Sequence, residues 1–213
     1  MKPPYWDEAA LALSRRDRVL KRLIRRSPGI HLKRRSDPFT TLARAIVGQQ
    51  ISVKAADAIW RRFVTLLADA PPRGFPRLAP QRVAAQSVQA LRGCGLSQRK
   101  AEYLSDLADH FASGRFDPKR WKRLDDEALI SALIDVKGIG RWTAEMFLIF
   151  HELRPDVLPL DDLGLQRALC THYNDGANLN RAAMVALAEP WRPWRSVATW
   201  YLWRSLDPVP VEY

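Results

Sequence analysis

The stretch Leu133-Ile134-Asp135-Val136-Lys137-Gly138-Ile139-Gly140-Arg141-Trp142-Thr143-Ala144 decides the fold. An apolar helical pattern enters it after Asp125 or Asp126, either of which suits an N-cap, and a second, strongly apolar pattern leaves it from 141 to about 150. Between them two glycines flank one apolar residue. They let the backbone turn tightly and leave the N–H groups at the start of the second helix unobstructed. Those donors sit at the positive end of a helix dipole, a ready seat for phosphate. The same GxG pattern also serves as a plain glycine cap between two helices, so by itself it fixes a helix-turn-helix and leaves the ligand open.

Outward from this turn the chain reads as helices throughout. From 7 to about 26, Leu11, Leu13, Val19, Leu20, Leu23 and Ile24 recur at helical spacing among arginines and predict one amphipathic helix, closed by Pro28-Gly29. Its basic face continues through Lys33, Arg34 and Arg35. Asp37 and Pro38 open a helix from 39 to about 47, Gly48-Gln49-Gln50 interrupts it, and Ser52 caps the next. Four prolines and Gly74 mark 70–80 as a loop. Further helices are expected near 81–86, from Ser97 to about 112, and near 163–172, 179–188 and 193–206. With no alternating stretch of useful length, no low-complexity tract and no repeat, the fold class is all-α.

A chain of 213 residues buries enough surface for a core without staples. Its 47% hydrophobic and 27% charged residues exclude a disordered or collagen-like chain, and no apolar run is long enough to span a bilayer. The opening MKPPYWDEAA lacks the layout of a signal peptide, so a cytoplasmic protein is expected. Cys94 and Cys170 are too few for a disulfide framework or an iron-sulfur cluster, and the four histidines show no zinc-ligand spacing. The net charge of +11 and a pI near 10.2 favour a polyanionic partner, nucleic acid first.

Two further features carry chemistry. Leu158-Pro159-Leu160 leads to Asp161-Asp162 and then Leu163-Gly164-Leu165. Either aspartate suits a helix cap, and either suits a carboxylate that stabilises positive charge. Near the C-terminus, Trp191, Trp194, Trp200 and Trp203 interleave with Arg192, Arg195 and Arg204, a pattern compatible with base stacking or with core packing.

Taken in order, Asp37-Pro38-Phe39 with Ala45 to Ser52, Gly138 to Ala144, Pro159 to Leu165, and Trp191 to Ser196 resemble the helix-hairpin-helix DNA glycosylases. Within these they are most similar to the bacterial 3-methyladenine DNA glycosylase II group, in a short form without its N-terminal β-rich region. The resemblance implies two helical subdomains, 41–155 and 1–40 with 156–213, with the active site in the cleft between them. It implies a monomer that binds damaged double-stranded DNA, flips a nucleotide out and hydrolyses its N-glycosidic bond, with no membrane role and a place on the nucleoid when bound.

Residue by residue, the resemblance places the catalytic carboxylate at Asp162, with Asp161 as the alternative. Trp142, Met146 and Trp203 fall in the base pocket, and Met146 stands where the similar group has a tyrosine. Gln50 falls where a side chain fills the gap left by the flipped base. Val136, Gly138, Ile139, Gly140 and Thr143 fall on the DNA backbone, with room for a sodium or potassium ion on the Val136 and Ile139 carbonyls and no other cofactor. Trp142 occupies the position of the Schiff-base lysine of strand-cutting relatives, so a monofunctional enzyme acting on alkylated purines such as 3-methyladenine and 7-methylguanine is expected. Enzymes for oxidised, deaminated or mismatched bases and a catalytically silent DNA-binding module are the alternatives.

Overall fold

In the computed structural model, which describes residues 2–34, 36–67 and 76–206, every regular element is helical. The chain divides into two units: the segment up to Arg34 joins the chain from Leu148 onward, and the residues between them, through Phe147, form the other.

The expected single N-terminal helix is two, α1 (Trp6–Arg16) and α2 (Arg18–Arg26), because Asp17 adopts an extended conformation and turns its carboxylate onto the Val19 and Leu20 N–H groups. An internal acidic cap is nearly invisible to periodicity, since the apolar spacing runs across it. Its other oxygen accepts from the Tyr173 hydroxyl at 2.9 Å and the Trp191 indole N–H at 3.0 Å. Burial and this carboxylate push the Tyr173 phenol well above its ordinary range. Asp17→Asn keeps a capping oxygen but presents an amide N–H₂ to those two donors. A loss of about 2 kcal/mol in denaturant unfolding is expected, and an unchanged midpoint would remove Asp17 from the fold's key contacts.

The second unit begins with α3 (Pro38–Gly48), capped by Asp37 through the Thr40 N–H at 2.9 Å, and α4 (Val53–Leu67), whose first turn bonds Ser52. Helices α5 (Pro80–Ala84) and α6 (Val88–Gly93) pack on α7 (Gln98–Ala112), which also packs on α3. Then come α8 (Pro118–Trp121), α9 (Asp126–Ile134), capped by Asp125, and α10 (Arg141–Phe147), which packs against α9 and α3. Trp121 fixes this corner through edge contacts with Phe111, Phe116 and Phe147. Helices α6 and α8 are additions to the sequence expectation, being too short to show a period. Of the expected loop, 70–75 lies outside the described residues, and Pro80 already begins α5.

Instead of continuing as an α-helix to Phe150, the chain widens into a π-turn at Leu148–Glu152. It resumes with α11 (Leu163–Tyr173), α12 (Arg181–Ala188), a 3-10 turn at Glu189–Trp191 and α13 (Arg195–Leu206). Helix α13 packs on α1, α2 and α11, and Leu13, Leu20, Leu165, Leu169 and Leu202 are fully buried in this unit. The units divide at 34/35 and 147/148, several residues before the expected 40/41 and 155/156. Local bonding accounts for the shift. Arg34 donates to the His151 carbonyl and the Tyr5 hydroxyl to the Leu153 carbonyl, each at 2.6 Å, tying 148–153 to the N-terminal segment, while α3 packs on α4 and α7.

Candidate active site

In the unit ending at Phe147, the turn between α9 and α10 is held from four sides. Val136 and Ile139 are buried, and the Ile139 N–H returns to the Val136 carbonyl at 3.1 Å. Gly138 has φ +83°, and a Cβ there would meet the Tyr103 ring at 2.1 Å, so both backbone and space require glycine. Asp106 accepts the Lys137 N–H at 2.8 Å, and the Gln49 amide donates to the Gly138 carbonyl at 2.9 Å. Gly140 is different: it is exposed, and a Cβ there would meet nothing within 4 Å. At the start of α10, Arg141 pairs with Glu127 and with Glu145 at 3.0 Å, and its bond holds the Glu127 carboxyl below its ordinary range.

Beyond the turn, α10 carries Trp142, half-buried, with Thr143 and Met146 buried. Trp142 and Met146 lie four apart on one helical face. The Gly48-Gln49-Gln50 break after α3 is fixed by Lys100, whose ammonium donates to the Val47 carbonyl at 2.8 Å and the Gln49 carbonyl at 2.6 Å. Burial lowers the Lys100 pKa from its ordinary value. This leaves Gln50 exposed with φ 56°, a left-handed conformation that costs a non-glycine residue about 1 kcal/mol or more.

In the other unit, Asp162 is the N-cap of α11 and is 6% exposed. One carboxylate oxygen accepts two bonds, from the Leu165 N–H and from the Trp203 indole N–H, both at 2.7 Å. Gly164 permits this approach, because a Cβ there would stand 3.1 Å from the Asp162 oxygen and 3.2 Å from the Trp203 ring. Trp203 stacks on Phe150 with centroids 5.6 Å apart and planes at 11°, and Phe150 meets Trp200 edge-on. The neighbouring Asp161 is exposed and pairs with Arg181 at 2.6 Å. The doublet thus splits into a surface ion pair and a buried, doubly bonded carboxylate.

The four C-terminal tryptophans do not form one platform. Trp191 is fully buried and bonded to Asp17, Trp194 stacks on Tyr5, and Trp200 packs edge-on against Phe150. In one unit Gln49, Lys100, Tyr103 and Asp106 hold the turn and the break after α3, and in the other Phe150 packs on Trp203; sequence reasoning assigned none of them a role, since no spacing signal connects residues that meet only after folding. The carbonyl oxygens at Val136 and Ile139 are hard, neutral donors, and the Val136 oxygen keeps a lone pair after accepting one bond, a set that fits an alkali cation rather than zinc.

Residues 43–193 match the family described as HhH-GPD superfamily base excision DNA repair protein. The chain is 34% identical over 202 residues to DNA-3-methyladenine glycosylase 1 of Schizosaccharomyces pombe, covering 93% of this chain and 86% of that protein. Among solved structures it is similar to the Schizosaccharomyces pombe 3-methyladenine DNA glycosylase in complex with abasic DNA (TM-score 0.80, 32% identity, 97% of this chain and 98% of that one). It is also similar to the DNA-3-methyladenine glycosidase of Bacillus halodurans (TM-score 0.82, 34% identity, 92% and 87%).

Proposed function

Because the chain belongs to the HhH-GPD superfamily of base excision DNA repair proteins, we propose that Asp162 is the carboxylate with which it hydrolyses the N-glycosidic bond of alkylated purines. It is an alkylbase DNA glycosylase of base excision repair. The observation that carries the assignment is the buried Asp162, held by the Trp203 indole and the first turn of α11.

An N-alkylated purine already carries a positive charge, so it leaves with the bonding pair and becomes neutral without needing a strong acid. Positive charge then develops on the sugar, where the Asp162 carboxylate stabilises it; water adds at the anomeric carbon and releases a proton. Trp142, Met146 and Trp203 contact the flipped base. A cationic purine over an indole face gains about 0.5 to 2 kcal/mol, which a neutral purine does not share in full. Phe150 covers one face of Trp203, so stacking falls to the opposite face.

Val136, Gly138, Ile139, Gly140 and Thr143 hold a DNA phosphate through the backbone at the start of α10. An alkali cation on the Val136 and Ile139 carbonyls would supply positive charge toward that phosphate. The enzyme acts as a monomer and does not cut the strand, since Trp142 offers no amine for a Schiff base.

The test is base release from duplex DNA treated with a methylating agent. Free 3-methyladenine and 7-methylguanine are expected, without strand breaks before alkali and without a borohydride-trapped adduct. Release confined to oxidised or deaminated bases, or a trapped adduct, would overturn this reading. Gln50 fills the space left by the flipped base and bonds its orphaned partner. Gln50→Ala is expected to weaken binding to abasic-site duplex about fivefold, the worth of one hydrogen bond, and equal affinity would remove that role.

A further inference from the structure

The positive charge of the chain is concentrated. Ten of its 34 Lys and Arg residues fall between positions 9 and 36, where Asp17 is the one acid, so this segment alone carries +9 of the net +11. Asp17 is engaged inside the fold, by the α2 cap and by Tyr173 and Trp191. On α2, Arg18, Lys21, Arg22, Arg25 and Arg26 are all exposed, and among the described residues none of them is paired with a carboxylate. At about 100° per residue, Arg18, Lys21, Arg22 and Arg25 share a stripe roughly 100° wide. Burial, then Arg22 and Arg26, hold the His172 imidazole below its ordinary pKa.

A basic amphipathic helix suits either an anionic membrane or a nucleic acid, and the apolar face decides between them. Membrane binding needs that face free to enter the acyl boundary. Here Leu20 is fully buried and Leu23 is 4% exposed, with α2 packed on α1 and α13. Only the charged stripe is left to offer. A nine-residue helix is about 13 Å long, and duplex DNA presents about eight phosphate charges over that length.

We propose that the exposed face of α2 binds the phosphate backbone of duplex DNA without regard to sequence or damage. This surface is additional to the Val136–Gly140 turn and to Gln50. It holds the protein on undamaged DNA by counterion release, which makes its contribution strongly salt-dependent.

The test measures the affinity of the full chain for an undamaged duplex against salt concentration. The triple variant Arg18→Gln, Lys21→Gln, Arg25→Gln is expected to reduce the slope of log affinity against log salt by about 2 to 3, since each lost phosphate contact removes about 0.9. A control triple, Lys119→Gln, Lys122→Gln, Arg123→Gln, removes the same charge from exposed positions of the other unit and is expected to change the slope by less than about 1. Thermal unfolding checks both folds, and Lys21→Gln alone, with an expected change of about 0.9, serves if the triple is unstable. An unchanged slope overturns the proposal. So does an equal change in both triples, which would be net charge alone, or loss of binding to phosphatidylserine-containing vesicles with DNA binding intact, which would make the surface a lipid contact.

Discussion

Asp162→Asn is expected to lower single-turnover base release from alkylated duplex DNA by about a hundredfold to a thousandfold, with abasic-site binding changed by less than about threefold. The substitution removes the charge while keeping the helix cap. The oxygen of Asp162 that accepts from the Leu165 N–H and the Trp203 indole has a counterpart in the asparagine carbonyl, so cap and indole bond both persist. The negative charge is removed and an amide N–H₂ replaces the other oxygen, and stability should stay within about 1 kcal/mol. Asp162→Ala removes cap and charge together. It costs about 1 kcal/mol for the cap and a further 1 to 3 kcal/mol for the orphaned indole N–H, so its lost turnover would be confounded with lost structure. Asp161→Asn breaks an exposed ion pair with Arg181 worth at most about 1 kcal/mol, and turnover should change by only a few-fold. An Asp162→Asn enzyme with normal turnover, or an inactive Asp161→Asn enzyme, would transfer the role to the other member of the doublet.

The doublet also shows what a sequence can and cannot reveal. Either aspartate could be read as a cap, and the spacing after Pro159 admitted both. The distinction arises from Trp203, 41 residues away, and from the absence of a side chain at Gly164. Local signals were legible wherever the chemistry is local: Asp37-Pro38 and Ser97 stand at the starts of the helices expected there, and of the pair Asp125 and Asp126 it is Asp125 that caps α9. They failed at Asp17, where a cap sits inside an unbroken apolar pattern, and at Leu148, where the helix changes its winding with no breaker residue. Lys100 was unreadable for another reason. It is an ordinary helix residue in the sequence, and only the folded chain places its ammonium on the carbonyls of Val47 and Gln49, 53 and 51 residues away.

The two glycines of the turn are alike in sequence and opposite in physics, which makes them separable by experiment. At Gly138 an added methyl meets three atoms of the Tyr103 ring within 2.5 Å, on a backbone at φ +83°. Left-handed strain contributes about 1 to 2 kcal/mol and overpacking about 1 to 3 kcal/mol, so Gly138→Ala is expected to destabilise the protein by about 2 to 5 kcal/mol. For a chain of this size that lowers the melting temperature by roughly 5 to 15 °C. Adding Tyr103→Ala relieves the clash but not the strain. The double variant should therefore recover about 1 to 3 kcal/mol relative to the sum of the singles, a coupling that two independent sites would not show. At Gly140 there is open space and no positive φ, and Gly140→Ala should melt within about 2 °C of the parent, since the added methyl meets no neighbour. Its cost is expected instead in DNA binding, because the methyl projects at the start of α10, the phosphate seat proposed above. Equal stability losses at both glycines would mean that the turn is merely a helix connection; stability lost at Gly138 and affinity lost at Gly140 would identify one glycine as the builder of the hairpin and the other as its contact with DNA.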